Sequence, residues 1–281
     1  MADGQQNKLN IAFIIQARMK STRLPGKVLL PLPFNNGKPI IQWIIDAISL
    51  SKYSGDIIVA TSKDPENDIL CSYCKNNSVK YFRGDEQNVL SRFINIVKNN
   101  NYGAVVRLTA DNPIIDTMCL DKAIAFHIQR GSDYTKTEGL PLGMNFEIIS
   151  PVSLLDLETK NTSDYDREHV TPFIKNSARF KTDILNFDVD SRLKDLRLTI
   201  DYSSDYLMLS AIVSLIKNEP VVGIEFISNT FSDFPWIFEV NHDNIQKKQY
   251  NELKDELVAA EQLLERFDLT RAAKIINSYE A

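Results

Sequence analysis

Four cations crowd one short stretch of this sequence. Arg18, Lys20, Arg23 and Lys27 all fall within Ile14–Leu29, IIQARMKSTRLPGKVL, with no acidic residue among them. Ser21, Thr22 and Gly26 stand between them, so the stretch offers hydroxyls and unhindered backbone donors as well as charge. That donor set can wrap a polyphosphate. A solvated basic loop has the same composition, and charge alone does not separate the two readings. The stretch is not a Walker phosphate loop, because Ser21 and Val28 occupy the places which that motif reserves for Gly and for Ser or Thr. No G-x-G-x-x-G follows the first apolar run either.

Acidic residues offer a second chemistry. Asp111 comes shortly after AVVRL and Asp201 directly after RLTI, so both emerge at the ends of strand-like runs, where open α/β sheets bind ligands. Mg²⁺ is typically held by one or two carboxylates together with substrate phosphates and water. An Asp before Asn-Pro, as at Asp111, is also an ordinary turn former. Asp188-Val189-Asp190 forms a D-x-D whose carboxylates would share one face of a strand. It lies far beyond the basic stretch and reads as a surface strand end. Arg167-Glu168-His169 packs a guanidinium, a carboxylate and an imidazole ahead of a helix start at Thr171-Pro172. Such a triplet suits either acidic or hydroxyl groups of a ligand or a salt-bridge cluster at a helix entry. Cys71-x-x-Cys74 has no second cysteine pair downstream, and Cys119, His127, His169 and His242 lack finger-like spacing, so no zinc site is expected.

The elements that position these residues follow from hydrophobic pattern. Ile11–Gln16, Asp56–Thr61, Val79–Phe82 and Ala104–Leu108 read as strands. Between and after them, helices are expected from Pro39, over Pro65–Asn76, Asn88–Asn99 and Met118–Arg130. The first carries Ile40, Ile41, Ile44, Ile45 and Ile48 on one face; the second, Ile69, Leu70 and Tyr73. Strict alternation of this kind implies βαβ units and a parallel sheet. Past Gly131 the pattern loosens: Phe146–Ile149, Lys181–Asp188 and Leu196–Ile200 read as strands, and Asp205–Lys217 as a helix. Leu253, Leu257, Ala260, Leu264 and Phe267 form an apolar stripe along a helical tail over Asn244–Phe267. The expected organisation is one α/β domain over 1–240 with an irregular insertion, then a helical tail over 241–281.

Composition narrows the function. The 281 residues carry a net charge of −5, which argues against nucleic acid as a partner, since a phosphate backbone demands a basic footprint. The early apolar run Ile11–Ile15 is far too short to span a bilayer, and Met1–Asn10 is polar, so neither a membrane anchor nor a signal peptide is expected. Three cysteines fit a reducing, cytoplasmic setting.

The basic stretch closely resembles the signature of the sugar cytidylyltransferases, above all the spore-coat polysaccharide branch, usually written IIQARMxSTRLPGKVL. Further segments agree in order: IVATS (Ile58–Ser62), FRGD (Phe82–Asp85), RLTADNPIID (Arg107–Asp116), REHVTP (Arg167–Pro172) and RLTIDYSSDY (Arg197–Tyr206). The resemblance implies a Rossmann-like nucleotidyltransferase fold, mostly parallel, and transfer of CMP from CTP to a sugar or acidic sugar-like acceptor with Mg²⁺. It places Ala17, Arg18, Ser21, Arg23, Lys27, Arg83 and Asp111 at the nucleotide, with Arg18, Arg23 and Lys27 as the phosphate grip. It places Asp111 and Asp201 on the metal, and Glu147, Arg167, Glu168 and His169 at the acceptor. Two departures stand out: Lys20 where relatives usually carry Gly, and GMNFE over Gly143–Glu147, with Asn145 replacing an acid. A homodimer with the tail at or near its interface is expected. The rival readings are a glycosyltransferase acting through Asp188 and Asp190, and a non-catalytic nucleotide-binding relative.

Overall fold

A computed structural model describes residues 9–53, 55–216, 222–244 and 253–278. The chain divides into two compact units, Met1–Asp243 and Asn244–Ala281. In the first, β1 (Ile11–Gln16) is followed by β2 (Pro31–Leu32) and β3 (Lys38–Pro39), which pair with each other in a short antiparallel ladder. Then come α1 (Ile40–Ser49), β4 (Gly55–Ser62), α2 (Asp68–Asn76), β5 (Lys80–Gly84), α3 (Val89–Lys98), β6 (Ala104–Thr109) and α4 (Thr117–Arg130). The looser half holds β7 (Tyr134–Glu138), β8 (Glu147–Ile149), α5 (Pro151–Asp156), α6 (Asp164–His169), α7 (Pro172–Asn176) and β9 (Thr182–Asn186). It continues through α8 (Ser191–Lys194), α9 (Ser203–Ser214), α10 (Ile224–Asp233) and a 3₁₀ turn at Pro235–Asn241.

The main sheet has the order β5-β4-β1-β6-β8-β7-β9. β5, β4, β1 and β6 are parallel, β8 runs against β6 and β7, and β9 is parallel to β7. β1 is apolar from Ile11 to Ile15 because both of its faces are covered. Ile11, Phe13 and Ile15 enter a core built with α1, α2, α4 and α9, while Ala12 and Ile14 enter another built with α3, α5 and α7. The five isoleucines of the α1 stripe are all buried. Each stabilises the fold by ~1.5–3 kcal/mol.

Several expectations are corrected. Leu196–Ile200 is not a strand: its ladder contact is a single bridge from Leu142 to Arg197. β6 is already paired on both edges, by β1 and β8, and has no free edge to offer it. Conversely, Tyr134–Glu138 (YTKTE) is a strand that carries no apolar run; Thr135 and Thr137 are buried on one face and Tyr134 on the other. Arg167, Glu168 and His169 precede α7, as expected, but they also form the last turn of a separate short helix, α6, opened by a capping box of Ser163 and Asp166. α7 begins at Pro172, as the Thr-Pro pair indicates. Within α2 it is Leu70, Cys71 and Cys74 that are buried, whereas Ile69 is exposed. The helix expected over Asp205–Lys217 runs Ser203–Ser214, and Lys217 lies outside the described residues.

The second unit contains α11 (Leu253–Arg266) and α12 (Thr270–Ser278), two helices where one was expected. Residues 245–252 of the expected tail helix lie outside the described residues. Leu253 and Phe267, members of the stripe, are exposed.

Candidate active site

β4 lies on one side of β1 and β6 on the other, so the chain changes direction beside β1. The crevice beyond the carboxyl ends of such strands is where open sheets bind ligands. The basic loop leaves β1 at this point, and its ends are pinned. The Ala17 N–H donates to the Ala60 carbonyl at 3.1 Å. The Met19 N–H donates to Asn67 Oδ1 at 2.8 Å, and Asn67 Nδ2 in turn donates to Ser62 Oγ at 2.8 Å. Gly26 takes φ 71° and returns its N–H to the Met19 carbonyl at 2.9 Å, a left-handed turn at which a side chain would be strained.

That turn drives Lys27 inward, where it is buried and its three N–H donors have three acceptors. Nζ lies 2.9 Å from Asp111 Oδ2, 3.1 Å from Asp201 Oδ1 and 2.5 Å from the Ile200 carbonyl. Asp111 follows β6, and its own carbonyl accepts the Ile200 N–H at 2.8 Å, which draws the RLTID segment against the strand end. Arg23 reaches Asp201 Oδ1 at 2.9 Å, its guanidinium 4.5 Å from the Tyr202 ring centroid. Arg197 Nη2 holds Asp201 Oδ2 at 2.7 Å, and Arg197 Nε meets Asp205 Oδ1 at 3.0 Å. Asp205 is fully buried; its Oδ2 also accepts the backbone N–H groups of Asp201 and Tyr202 at 2.8 and 2.9 Å. Lys27, Arg23 and Arg197 thus balance Asp111, Asp201 and Asp205. Burial pushes the Asp201 carboxyl up, but the charges of Lys27 and Arg23 and the donors of Lys27 and Arg197 outweigh it, and the net shift is downward. Asp201 is held ionised.

A second cluster begins where β1 ends. Arg107 on β6 donates to Gln16 Oε1 at 3.2 Å and forms an ion pair with Glu147 on β8. Glu147 Oε1 accepts from Tyr134 Oη at 2.5 Å and Thr171 Oγ1 at 3.1 Å, and lies 2.5 Å from Lys175 Nζ. Burial alone would raise this carboxyl; Arg107 and Lys175, with the hydrogen bonds from Lys175 and Tyr134, hold it at about 2. His169 packs against Tyr165 with ring centroids 4.5 Å apart and the rings tilted by 56°. Burial lowers its pKa, Glu168 and Glu147 oppose that, and Arg107 and Lys175 add to it.

The tertiary structure therefore brings Arg23, Lys27, Asp111 and Asp201 together and sets Glu147 among Arg107, Tyr134, Thr171 and Lys175, while His169 packs on Tyr165 of its own helix. The other expected site residues are more dispersed. Ala17 is buried at the loop entrance, and Ser21 Oγ accepts the Leu24 N–H at 3.4 Å within the loop. Arg18 is exposed and forms no ion pair among the described residues. Arg83 donates to the carbonyls of Ser62 and Asp64 and pairs with Asp68 at 2.7 Å. Arg167 pairs with Asp164 at 3.3 Å, and Glu168 is exposed. Asn145, which replaces the acid, spends Nδ2 on the Leu140 carbonyl at 2.8 Å. The D-x-D is not on a strand: Asp190 caps α8, accepting the Arg192 N–H at 3.0 Å, and Asp188 is exposed.

Arg197, Asp205, Tyr134, Lys175 and Asn67 were not singled out by sequence reasoning. Arg197 and Asp205 sit inside RLTIDYSSDY, where their types alone could have drawn notice; Tyr134 and Lys175 have no local signature at all.

Comparison with known proteins places this geometry. Residues 12–218 match the family model described as cytidylyltransferase. The chain is 37% identical over 217 residues to the spore coat polysaccharide biosynthesis protein SpsF of Bacillus subtilis, covering 76% of this chain and 90% of that protein. It is 27% identical to the 8-amino-3,8-dideoxy-manno-octulosonate cytidylyltransferase of Shewanella frigidimarina, covering 78% of this chain and 87% of that one. A solved cytidylyltransferase from Leptospira borgpetersenii superposes with a TM-score of 0.73 at 27% identity, over 86% of this chain and 100% of the other. With a basic loop closed onto two carboxylates at the switch point of a mostly parallel sheet, and a family match across most of its length, the chain belongs to the cytidylyltransferases, enzymes that use CTP.

Proposed function

We propose that this enzyme transfers CMP from CTP to a sugar or acidic sugar-like acceptor, releasing pyrophosphate, in the making of a surface polysaccharide or glycan. The observation that carries the reading is the single ammonium of Lys27 bridging Asp111 and Asp201, with Arg23 on the same carboxylate. An acceptor oxygen attacks the α-phosphorus, the bond to the bridging oxygen of the β-phosphate breaks, and the electron pair leaves on pyrophosphate. Arg18, Arg23 and Lys27 offset the charge that collects on the departing phosphates; Ser21, Ala17 and Arg83 line the nucleotide side. Transfer of this kind depends on positioning and charge stabilisation.

Asp111 and Asp201 fit a hard divalent cation. Both are carboxylates, both lie within reach of one cation, and Mg²⁺ needs only one or two such ligands when phosphates supply the rest. When bound, Mg²⁺ would neutralise phosphate charge. Glu147, with Arg167, Glu168 and His169, forms the acceptor side, where Arg107 and Lys175 supply cations for an anionic group. The names of the SpsF and octulosonate relatives support a sugar acceptor and a polysaccharide product. The enzyme works in the cytoplasm as a homodimer; no described helix is long and apolar enough to cross a membrane.

The test is a pyrophosphate-release screen of the four nucleoside triphosphates against phosphorylated and acidic sugars. Release is expected with CTP and an acidic sugar. Transfer from a ready-made nucleotide sugar, with none from free CTP, would instead favour the glycosyltransferase reading.

A further inference from the structure

The family match ends at residue 218, yet one side chain well beyond it reaches the candidate site. Asn241 closes the 3₁₀ turn Pro235–Asn241 and is 2% exposed. Its Nδ2 donates to the Arg197 carbonyl and to Asp205 Oδ1, each at 2.9 Å. An amide nitrogen has two hydrogens, and both are used. The turn that carries it is nailed to the core: Ile237 and Phe238 are buried, and Phe238 packs edge-on against Phe231 at 5.4 Å. Asn241 is therefore held by packing and does not drift to suit its partners.

Arg197 and Asp205 are the two groups that aim Asp201. Arg197 takes one oxygen of its carboxylate, and Asp205 takes its backbone N–H. A neutral amide steadies both without disturbing the balance of three cations and three carboxylates. Lys27 and Arg23 are the groups that phosphates would draw toward the nucleotide, so Asp201 needs a clamp independent of them. We propose that Asn241 is a positioning residue that locks the Arg197–Asp205 clamp and so fixes the Asp201 carboxylate for the nucleotide-bound divalent cation. This rests on the reading of Asp201 given above.

The test uses the full chain with Asn241→Leu, which keeps the shape and removes both donors, and Asn241→Ser, which is too short to span to Asp205 and serves if the first does not fold. Asp201→Asn is measured beside them. Folding is checked by circular dichroism, and Mn²⁺ affinity by electron paramagnetic resonance with a non-hydrolysable α,β-methylene analogue of CTP. Turnover is followed separately. The folded Asn241 variants are expected to bind Mn²⁺ several-fold more weakly and to turn over about ten-fold more slowly, a loss of one hydrogen bond to a charged group. A merely structural role would lower the melting temperature and leave Mn²⁺ affinity untouched. Folded variants with wild-type Mn²⁺ affinity, beside an impaired Asp201→Asn, would overturn the role of Asn241 alone. An unimpaired Asp201→Asn would overturn the assignment of Asp201 and this inference with it.

Discussion

Replacing Lys27 by Met removes the ammonium from the centre of the charge network while keeping most of its volume. At an effective dielectric of ~20, its contacts at 2.9 and 3.1 Å are each worth about 5–6 kcal/mol of gross attraction, most of it offset by desolvation. Stripping one partner from a buried pair costs ~3–5 kcal/mol net. The low end applies here, because Asp201 keeps Arg23 at 2.9 Å and Arg197 at 2.7 Å, and the Asp111 side chain is 28% exposed. A loss of ~3 kcal/mol leaves a typical domain folded, with a melting temperature lower by about 6–12 °C. Activity suffers separately. A charge-assisted contact to phosphate is worth ~1.5–3 kcal/mol, so kcat/KM for CTP should fall by about 10–10²-fold. Pyrophosphate release at varied CTP measures it, well below the variant's melting point, with Lys27→Arg as the variant that retains charge. A folded Lys27→Met enzyme with kcat/KM for CTP within about two-fold of wild type would refute the placement of Lys27 on the phosphates.

Three further outcomes follow from the same geometry. Asp111→Asn and Asp201→Asn should each cost far more activity than Asp188→Asn and should alter the Mg²⁺ dependence, which Asp188→Asn should leave alone; an essential Asp188 would point to the D-x-D after all. His127 is 4% exposed against Thr135 and burial pushes its pKa down to about 4, so its contribution is present above pH ~6.5 and is lost as pH falls toward 4. The loss reaches about 3 kcal/mol at ~1.4 kcal/mol per pH unit, and denaturant titrations of His127→Gln should show a flatter pH profile than wild type; parallel profiles would exclude this histidine. Light scattering should give a dimer mass for the full chain, and a monomer would remove the homodimer from the proposal.

The sequence by itself determined the parts whose information is local. β1 and α1 are legible because burial on two faces or on one leaves a continuous apolar run or a stripe at helical spacing. The basic loop is legible because it combines cations, hydroxyls and a glycine in one segment, and ordered motifs around it carry the family likeness. Tertiary structure alone decided which charges meet. Lys27 pairs with Asp111 and Asp201 across 84 and 174 positions, and no local pattern encodes such a distance. The RLTI segment shows the limit from the other side: its residues favour a strand, but β6 is already paired along both edges, so the segment packs on the strand end through Asp111 instead. Asn241 is the extreme case. Its residue type is commonplace, and only the packing of Ile237 and Phe238 carries its amide to Asp205, because a buried carboxylate recruits donors from whatever chain the core brings alongside.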